Sequence, residues 1–155
     1  MTRFSQATQQ CLERSGWDEK YRADISEYEL LMGGEGCPLP PLVIEFLSCF
    51  GNLRVHYPHH KVPSVEDVLH FDALKAALTP KGKYCEDLDQ YAARIGERLV
   101  VIGEAARGYL LLMMSADGKV YAAYDDFLAY VGNSGEDAIE AFCTGRDFVV
   151  IPHQS

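Results

Sequence analysis

The chain has no run approaching the roughly 18 apolar residues that cross a bilayer, and its first residues, MTRFSQATQQCLERSG, are polar where a secretory leader is apolar. Both absences predict a soluble protein that stays in the cytoplasm. It also lacks any C-x-x-C pair. Its cysteines, Cys11, Cys37, Cys49, Cys85 and Cys143, are odd in number, which argues against a disulfide framework and suits a reducing compartment. Their plainest role is that of small apolar side chains. Basic residues are scarce: 14 Lys and Arg stand against 23 Asp and Glu, a net charge of −9. Phosphate backbones and anionic lipid repel such a chain, so nucleic acid and membrane are excluded as partners. A basic protein fits the charge, and so does simple solubility. No repeat, low-complexity tract or linker interrupts the 155 residues, and 48% of them are hydrophobic. One domain over residues 1–155 follows, burying about two-thirds of the surface of its unfolded chain.

Motifs for catalysis are missing as well. GNSGE, Gly132 to Glu136, resembles a nucleophile elbow, but its second glycine comes one place early and Ser134 is better placed as a helix cap. GGEGCP lacks the glycine spacing and the preceding strand of a phosphate loop. Asp125 and Asp126, read as neighbours on a strand, point to opposite faces and make a poor acid–base pair. In RVHYPHHKV, His56, His59 and His60 fall close together, yet Pro58 bends the chain between them and no cysteine or carboxylate lies within a few residues. A zinc site needs converging ligands, usually from two close pairs. The histidines read as a solvated strand-end loop, and the chain as a protein without metal, cofactor or enzymatic activity.

Several stretches carry clear structural signals. Ser5 is placed to cap a first helix with an apolar stripe of Ala7, Cys11 and Leu12, ended by Gly16, after which Trp17 either packs back on the core or stands exposed as an interface anchor. Ser26 and Glu29 have capping-box spacing before a short helix stopped at Gly33 and Gly34. Pro40 and Pro41 suit the first turn of a buried helix whose face is Leu42, Val43, Phe46, Leu47 and Phe50. Gly51 is the expected left-handed residue beyond it, and Leu53, Val55 and Tyr57 alternate with Asn52, Arg54 and His56 as in a half-buried strand. VLHFD reads as extended, ALKAAL as a helical turn, and EDLDQYAARIG as a helix with Leu88, Tyr91, Ala92 and Ile95 on one face. Glu86, Asp87 and Asp89 in its first turn complement the helix dipole. RLVVIG, GYLLLMMS, KVYAAYD and FLAYVG read as strands. Asp117 and Gly118 predict a type I′ hairpin, antiparallel, between the second and third of these, and YLLLMM a central strand covered on both sides. Ser134 and Asp137 open a last helix ending at Gly145, with Ala138, Ile139, Ala141 and Phe142 buried, and FVVIP supplies an edge strand. The expected fold is α+β: an antiparallel or mixed curved sheet flanked by N-terminal helices, a middle helix and a C-terminal helix.

Taken in order, these stretches resemble the SUKH superfamily, in particular its third immunity-protein branch. The likeness is carried by Phe4–Ser5, SGW from Ser15 to Trp17, R-x-D-I-S-x-Y from Arg22 to Tyr28, FLSCFGNLRV from Phe46 to Val55, and HFD from His70 to Asp72. It continues through IGERLVVIGEAARGYLLL from Ile95 to Leu112, DGKVY from Asp117 to Tyr121, and VGNSGEDAIEAFCTG from Val131 to Gly145. Asn52 stands where that family often has a second glycine, and YPHHKVPSVEDVL is idiosyncratic. The resemblance implies a bacterial immunity protein that binds and neutralises a polymorphic toxin, often a nuclease, and it supplies no catalytic residues. An acidic inhibitor complements a basic toxin. Tyr84, Glu86, Asp87 and Asp89 before and within the middle helix, and Tyr124, Asp125 and Asp126 at a strand end, join acid with tyrosine as interfaces do. They are the expected partner-binding residues, each with a plainer alternative as half-buried core, helix cap or solvated turn. A regulatory or scaffolding module that binds another protein or a small ligand is the alternative the superfamily leaves open.

Overall fold

In the computed structural model, which describes residues 4–34, 36–59, 62, 64–77, 86–105 and 110–152, Ser5 caps the first helix as expected. Its hydroxyl accepts from the Thr8 N–H, and α1 runs Gln6–Arg14. The helix closes where Gly16 donates to the Glu13 carbonyl and Trp17 to that of Leu12, with Gly16 at φ 88°. These paired bonds satisfy carbonyls that a helix end otherwise leaves open. Thr8, Cys11 and Leu12 are its buried residues, and Ala7, expected among them, is exposed. A threonine fits inside because its hydroxyl donates to the Glu140 carboxylate at 2.7 Å. Trp17 does turn back on the core, where it stacks on Phe50 at 5.1 Å and donates from Nε1 to the Cys49 carbonyl.

Two helix ends depart from expectation. In α2 (Ser26–Gly34), Ser26 is already helical, and the Asp24 carboxylate accepts from both its N–H and its hydroxyl. An ionised carboxylate is the stronger acceptor, so it displaces serine from the capping role. In α3 (Pro41–Phe50), Val43, Phe46, Leu47 and Phe50 are buried, whereas Leu42 is 44% exposed at the rim. Gly51 after it is not left-handed: its φ is −57°, and Asn52 takes the positive φ, 63°. Asparagine tolerates that region better than most side chains, which suits a position where glycine is frequent in the resembled family. Gly51 answers a different need, since a Cβ there would strike the Leu47 carbonyl and the Ala23 side chain.

The strands β1 (Arg54–Pro58), β2 (Glu66–His70), β3 (Leu99–Ala105), β4 (Leu110–Ser115), β5 (Val120–Tyr124), β6 (Phe127–Gly132) and β7 (Val149–Val150) lie side by side in chain order. Every neighbouring pair is antiparallel, so among the described residues the sheet is a meander. Helices α4 (Ala73–Ala77) and α5 (Glu86–Ile95) connect β2 to β3, and α6 (Gly135–Thr144) connects β6 to β7. The fold is α+β with an open sheet. Strand β4 sits in the middle. Its Leu112 and Met114 join the large core built with α1, α2, α3, α4 and α6, while Met113 joins a second core with Tyr91, Leu99, Tyr121 and Leu128 beside α5. Apolar neighbours on both sides explain why the strand has no polar face.

The hairpin between β4 and β5 is antiparallel as expected but is not type I′. Ser115 and Lys119 close a loop of Ala116, Asp117 and Gly118, in which Gly118 alone has a positive φ, 92°. The extra residue gives the buried Ser115 hydroxyl its partners: it donates to Asp117 and accepts from the Lys119 N–H. At α6 the expectations hold. Ser134 accepts from the Asp137 N–H at 3.0 Å, Asp137 reaches back to the Asn133 N–H at 2.9 Å, and Gly145 stops the helix at φ 71°.

Candidate functional site

The turn between β5 and β6 is tight. Tyr124 pairs with Phe127, so Asp125 and Asp126 form the whole connection, with Asp125 at φ 46°. Aspartate is among the few residues that accept this conformation, because its short side chain can bond locally. The two acids therefore project from a turn and do not occupy opposite faces of a strand, as first expected; both are exposed. Beside them Tyr124 is 50% exposed, and its ring stacks on that of Phe127 at 5.0 Å.

Helix α5 fixes this turn from beneath. Its apolar residues Leu88, Tyr91, Ala92 and Ile95 pack on the second core, as its periodicity predicts. That docking lets the Tyr91 hydroxyl donate to the Asp125 carbonyl at 2.7 Å. One turn further on, Arg94 donates to the carbonyls of Asp126 at 2.9 Å and Ile151 at 2.7 Å. The carboxylates and the tyrosine ring stay on the surface while the backbone behind them is held. A contact surface ordered in advance loses less entropy when a partner arrives.

The other expected contacts are arranged differently. Asp89 is exposed on the rim of a groove of about 480 Å³ lined by Met32, Cys37, Leu88, Ala92 and Arg98. Two residues along a helix is about 200° of rotation, so Asp89 lies on the flank of α5 away from Tyr91 and the turn. Glu86 and Asp87 open α5, but their side chains, like the whole of Tyr84, lie outside the described residues. The structure thus unites Tyr124, Asp125 and Asp126 and sets Asp89 apart. That Phe127, Tyr91 and Arg94 meet at this turn was not legible in the sequence, which placed Tyr91 only on the apolar face of the helix. Only the Tyr91–Arg94 spacing, nearly one helical turn, hinted that they share a face.

His56 and His59 have separate partners. The Nδ1 atom of His56 is 2.9 Å from Glu66 across β1 and β2, while Nδ1 of His59 accepts from the Val62 N–H at 3.2 Å; His60 lies outside the described residues. Among the described residues no three His, Cys, Asp or Glu side chains are grouped as a metal requires. Ser134 keeps its role as the α6 cap. Shifted titrations also belong to the framework. Burial pushes Tyr57 well above the usual phenol range, with Asp67 adding to it, and burial with Glu97 nearby pushes Tyr121 up to about 12.

An open antiparallel sheet with helices on both faces, with an acidic and aromatic turn held between β5 and β6, defines an α+β fold. The chain belongs to the SUKH-3 immunity protein family, whose model matches residues 4–145, from the core ring of Phe4 to the glycine that stops α6. Neither curated proteins nor solved structures gave a match. Immunity proteins are generally non-enzymatic, and a protein toxin is the partner that the family implies. No helix among the described residues is long and apolar enough to cross a membrane.

Proposed function

We propose that this protein neutralises a polymorphic toxin in the bacterial cytoplasm by stoichiometric binding, and that the toxin is a basic protein such as a nuclease. The observation that carries this reading is the β5–β6 turn, where a half-exposed tyrosine and two exposed aspartates sit on a backbone held by Tyr91 and Arg94. Tyrosine is a frequent interface anchor, and acids at its rim steer a basic partner toward it. The net charge of −9 supports the same polarity, and family membership supplies the toxin as partner.

The experiment is to purify the product of a toxin gene found beside this one and titrate it calorimetrically with this protein. A saturable one-to-one complex that abolishes the toxin's activity is the expected result. A toxin left unbound and fully active would sink the proposal and favour the regulatory or scaffolding module.

A further inference from the structure

Cys11 and Cys143 are 132 positions apart in sequence, but α1 and α6 bring them together. The Glu140 carboxylate clamps the start of α1, accepting from the Ser5 N–H at 2.7 Å, the Ser5 hydroxyl at 2.6 Å and the Thr8 hydroxyl at 2.7 Å. Three residues beyond Thr8 on one helix comes Cys11, and three beyond Glu140 on the other comes Cys143. The register set by the clamp therefore carries one thiol to the other. Both are free and buried, and both line a single cleft of about 420 Å³ with Ala7, Gln10, Glu13, Arg14 and Pro58. Arg14 donates to the Cys11 sulfur at 3.6 Å. Burial, followed by the neighbouring Cys11, holds Cys143 as a thiol, well above the usual range. Cys37 borders the groove beside α5 and Cys49 lies on α3, each in a different part of the fold.

We infer that Cys11 and Cys143 form an oxidisable pair, which a peroxide converts to a disulfide joining the first helix to the last. The Cys11 sulfur attacks one peroxide oxygen; the O–O bond breaks, an S–O bond forms, and with the thiol proton the departing hydroxide becomes water. Cys11 is then a sulfenic acid, oxidised by two electrons, and the peroxide is reduced. The Cys143 sulfur next attacks that of Cys11. The S–S bond forms as the S–O bond breaks, and the second hydroxide leaves as water with the Cys143 proton. Two thiols and one hydrogen peroxide thus give one disulfide and two waters. The bond would close a loop spanning almost the whole family-matched region and restrict the unfolded chain accordingly. It needs no toxin and stands or falls separately from the neutralising role.

The test uses the full chain in native buffer, exposed to hydrogen peroxide, quenched with an alkylating reagent and digested for mass spectrometry without reduction. The expected product is a Cys11–Cys143 linked peptide that dithiothreitol dissolves, with a melting temperature raised reversibly on the order of 5–15 °C. Cys143→Ala, verified as folded by circular dichroism, should lose that rise and leave a Cys11 sulfenic acid that dimedone traps. The inference is overturned if both thiols remain alkylatable in the oxidised chain, if each passes to sulfinic acid without linkage, or if the links found join other cysteines.

Discussion

The hydroxyl of Tyr91 and the carbonyl oxygen of Asp125 are 2.7 Å apart, so the middle of α5 is bonded to the tip of the β5–β6 turn. Tyr91 is buried while Asp125 is exposed, which makes this bond a link between the second core and the candidate contact surface. Tyr91→Phe keeps the ring packed and removes only the donor. We expect it to lower the unfolding free energy by about 1 kcal/mol, the net worth of an ordinary hydrogen bond. Urea unfolding measures the loss, and a variant as stable as the parent would show that the bond does not anchor the turn.

The residues after α3 give a second prediction of opposite signs at adjacent positions. Asn52 holds a φ of 63° that glycine adopts without strain, so Asn52→Gly should be neutral or stabilise by up to about 1 kcal/mol, whereas Asn52→Val should destabilise by about 1–2 kcal/mol. Gly51 has an ordinary φ but no room for a side chain, because the obstructing atom is the backbone oxygen of Leu47. Gly51→Ala should therefore destabilise by about 1–3 kcal/mol. Thermal unfolding of the three variants checks the order, and a stable Gly51→Ala would contradict the close approach.

Two shifted groups predict the pH limits of stability. The hydrogen bond from Arg146 at 3.0 Å lowers the Asp137 pKa below its ordinary value of 3.8. Its contribution is present above the unfolded value and is lost as the pH falls through the folded one. Asp137→Asn should thus weaken the fold at neutral pH and flatten its acid limb. Burial, with the nearby Glu97 carboxylate, raises Tyr121 from 10.0 to about 12, so its contribution is complete below pH 10 and is lost as the pH rises through 12. Tyr121→Phe should flatten that alkaline limb. Denaturant midpoints across the two ranges test both signs.

Much of this architecture is legible in local sequence, because helix caps and alternating strands are decided within a few residues. Ser5, Ser134 and Gly145 act where their neighbours predict, and β4 lacks a polar face because both of its faces are covered. The misreadings arise where another group competes for a role, whether it lies two residues away or at the other end of the chain. Thr8 is buried because Glu140 comes to it from the other end of the chain, and Ser26 is displaced as a cap by the stronger acceptor at Asp24. The hairpin at Asp117 takes one more residue because Ser115 is buried and needs partners. The site was half legible for the same reason. Tyrosine next to two acids stands out in the sequence, but that α5 would hold their backbone, and that Asp89 would face another groove, depends on how the helix docks.

The last prediction separates steering from anchoring at the proposed interface. Charges at a rim chiefly raise the association rate and are screened by salt, whereas a buried aromatic chiefly slows dissociation. Asp125→Asn with Asp126→Asn removes both charges and keeps a residue that tolerates the positive φ of Asp125, so the turn itself is preserved. With the neighbouring toxin as partner, this double variant should associate more slowly, most visibly at low salt, with its dissociation rate nearly unchanged. Tyr124→Ala should instead speed dissociation by an amount typical of an anchor residue, on the order of 1–3 kcal/mol. Asp89→Asn serves as the comparison, since Asp89 lies on the far flank of α5: an effect as large as that of the turn variants would move the interface to the groove beside Met32 and Cys37. Stopped-flow and surface-binding kinetics on folded variants resolve the two rates. If the turn substitutions leave both rates unchanged while the toxin is still bound, Tyr124, Asp125 and Asp126 are not the contact surface.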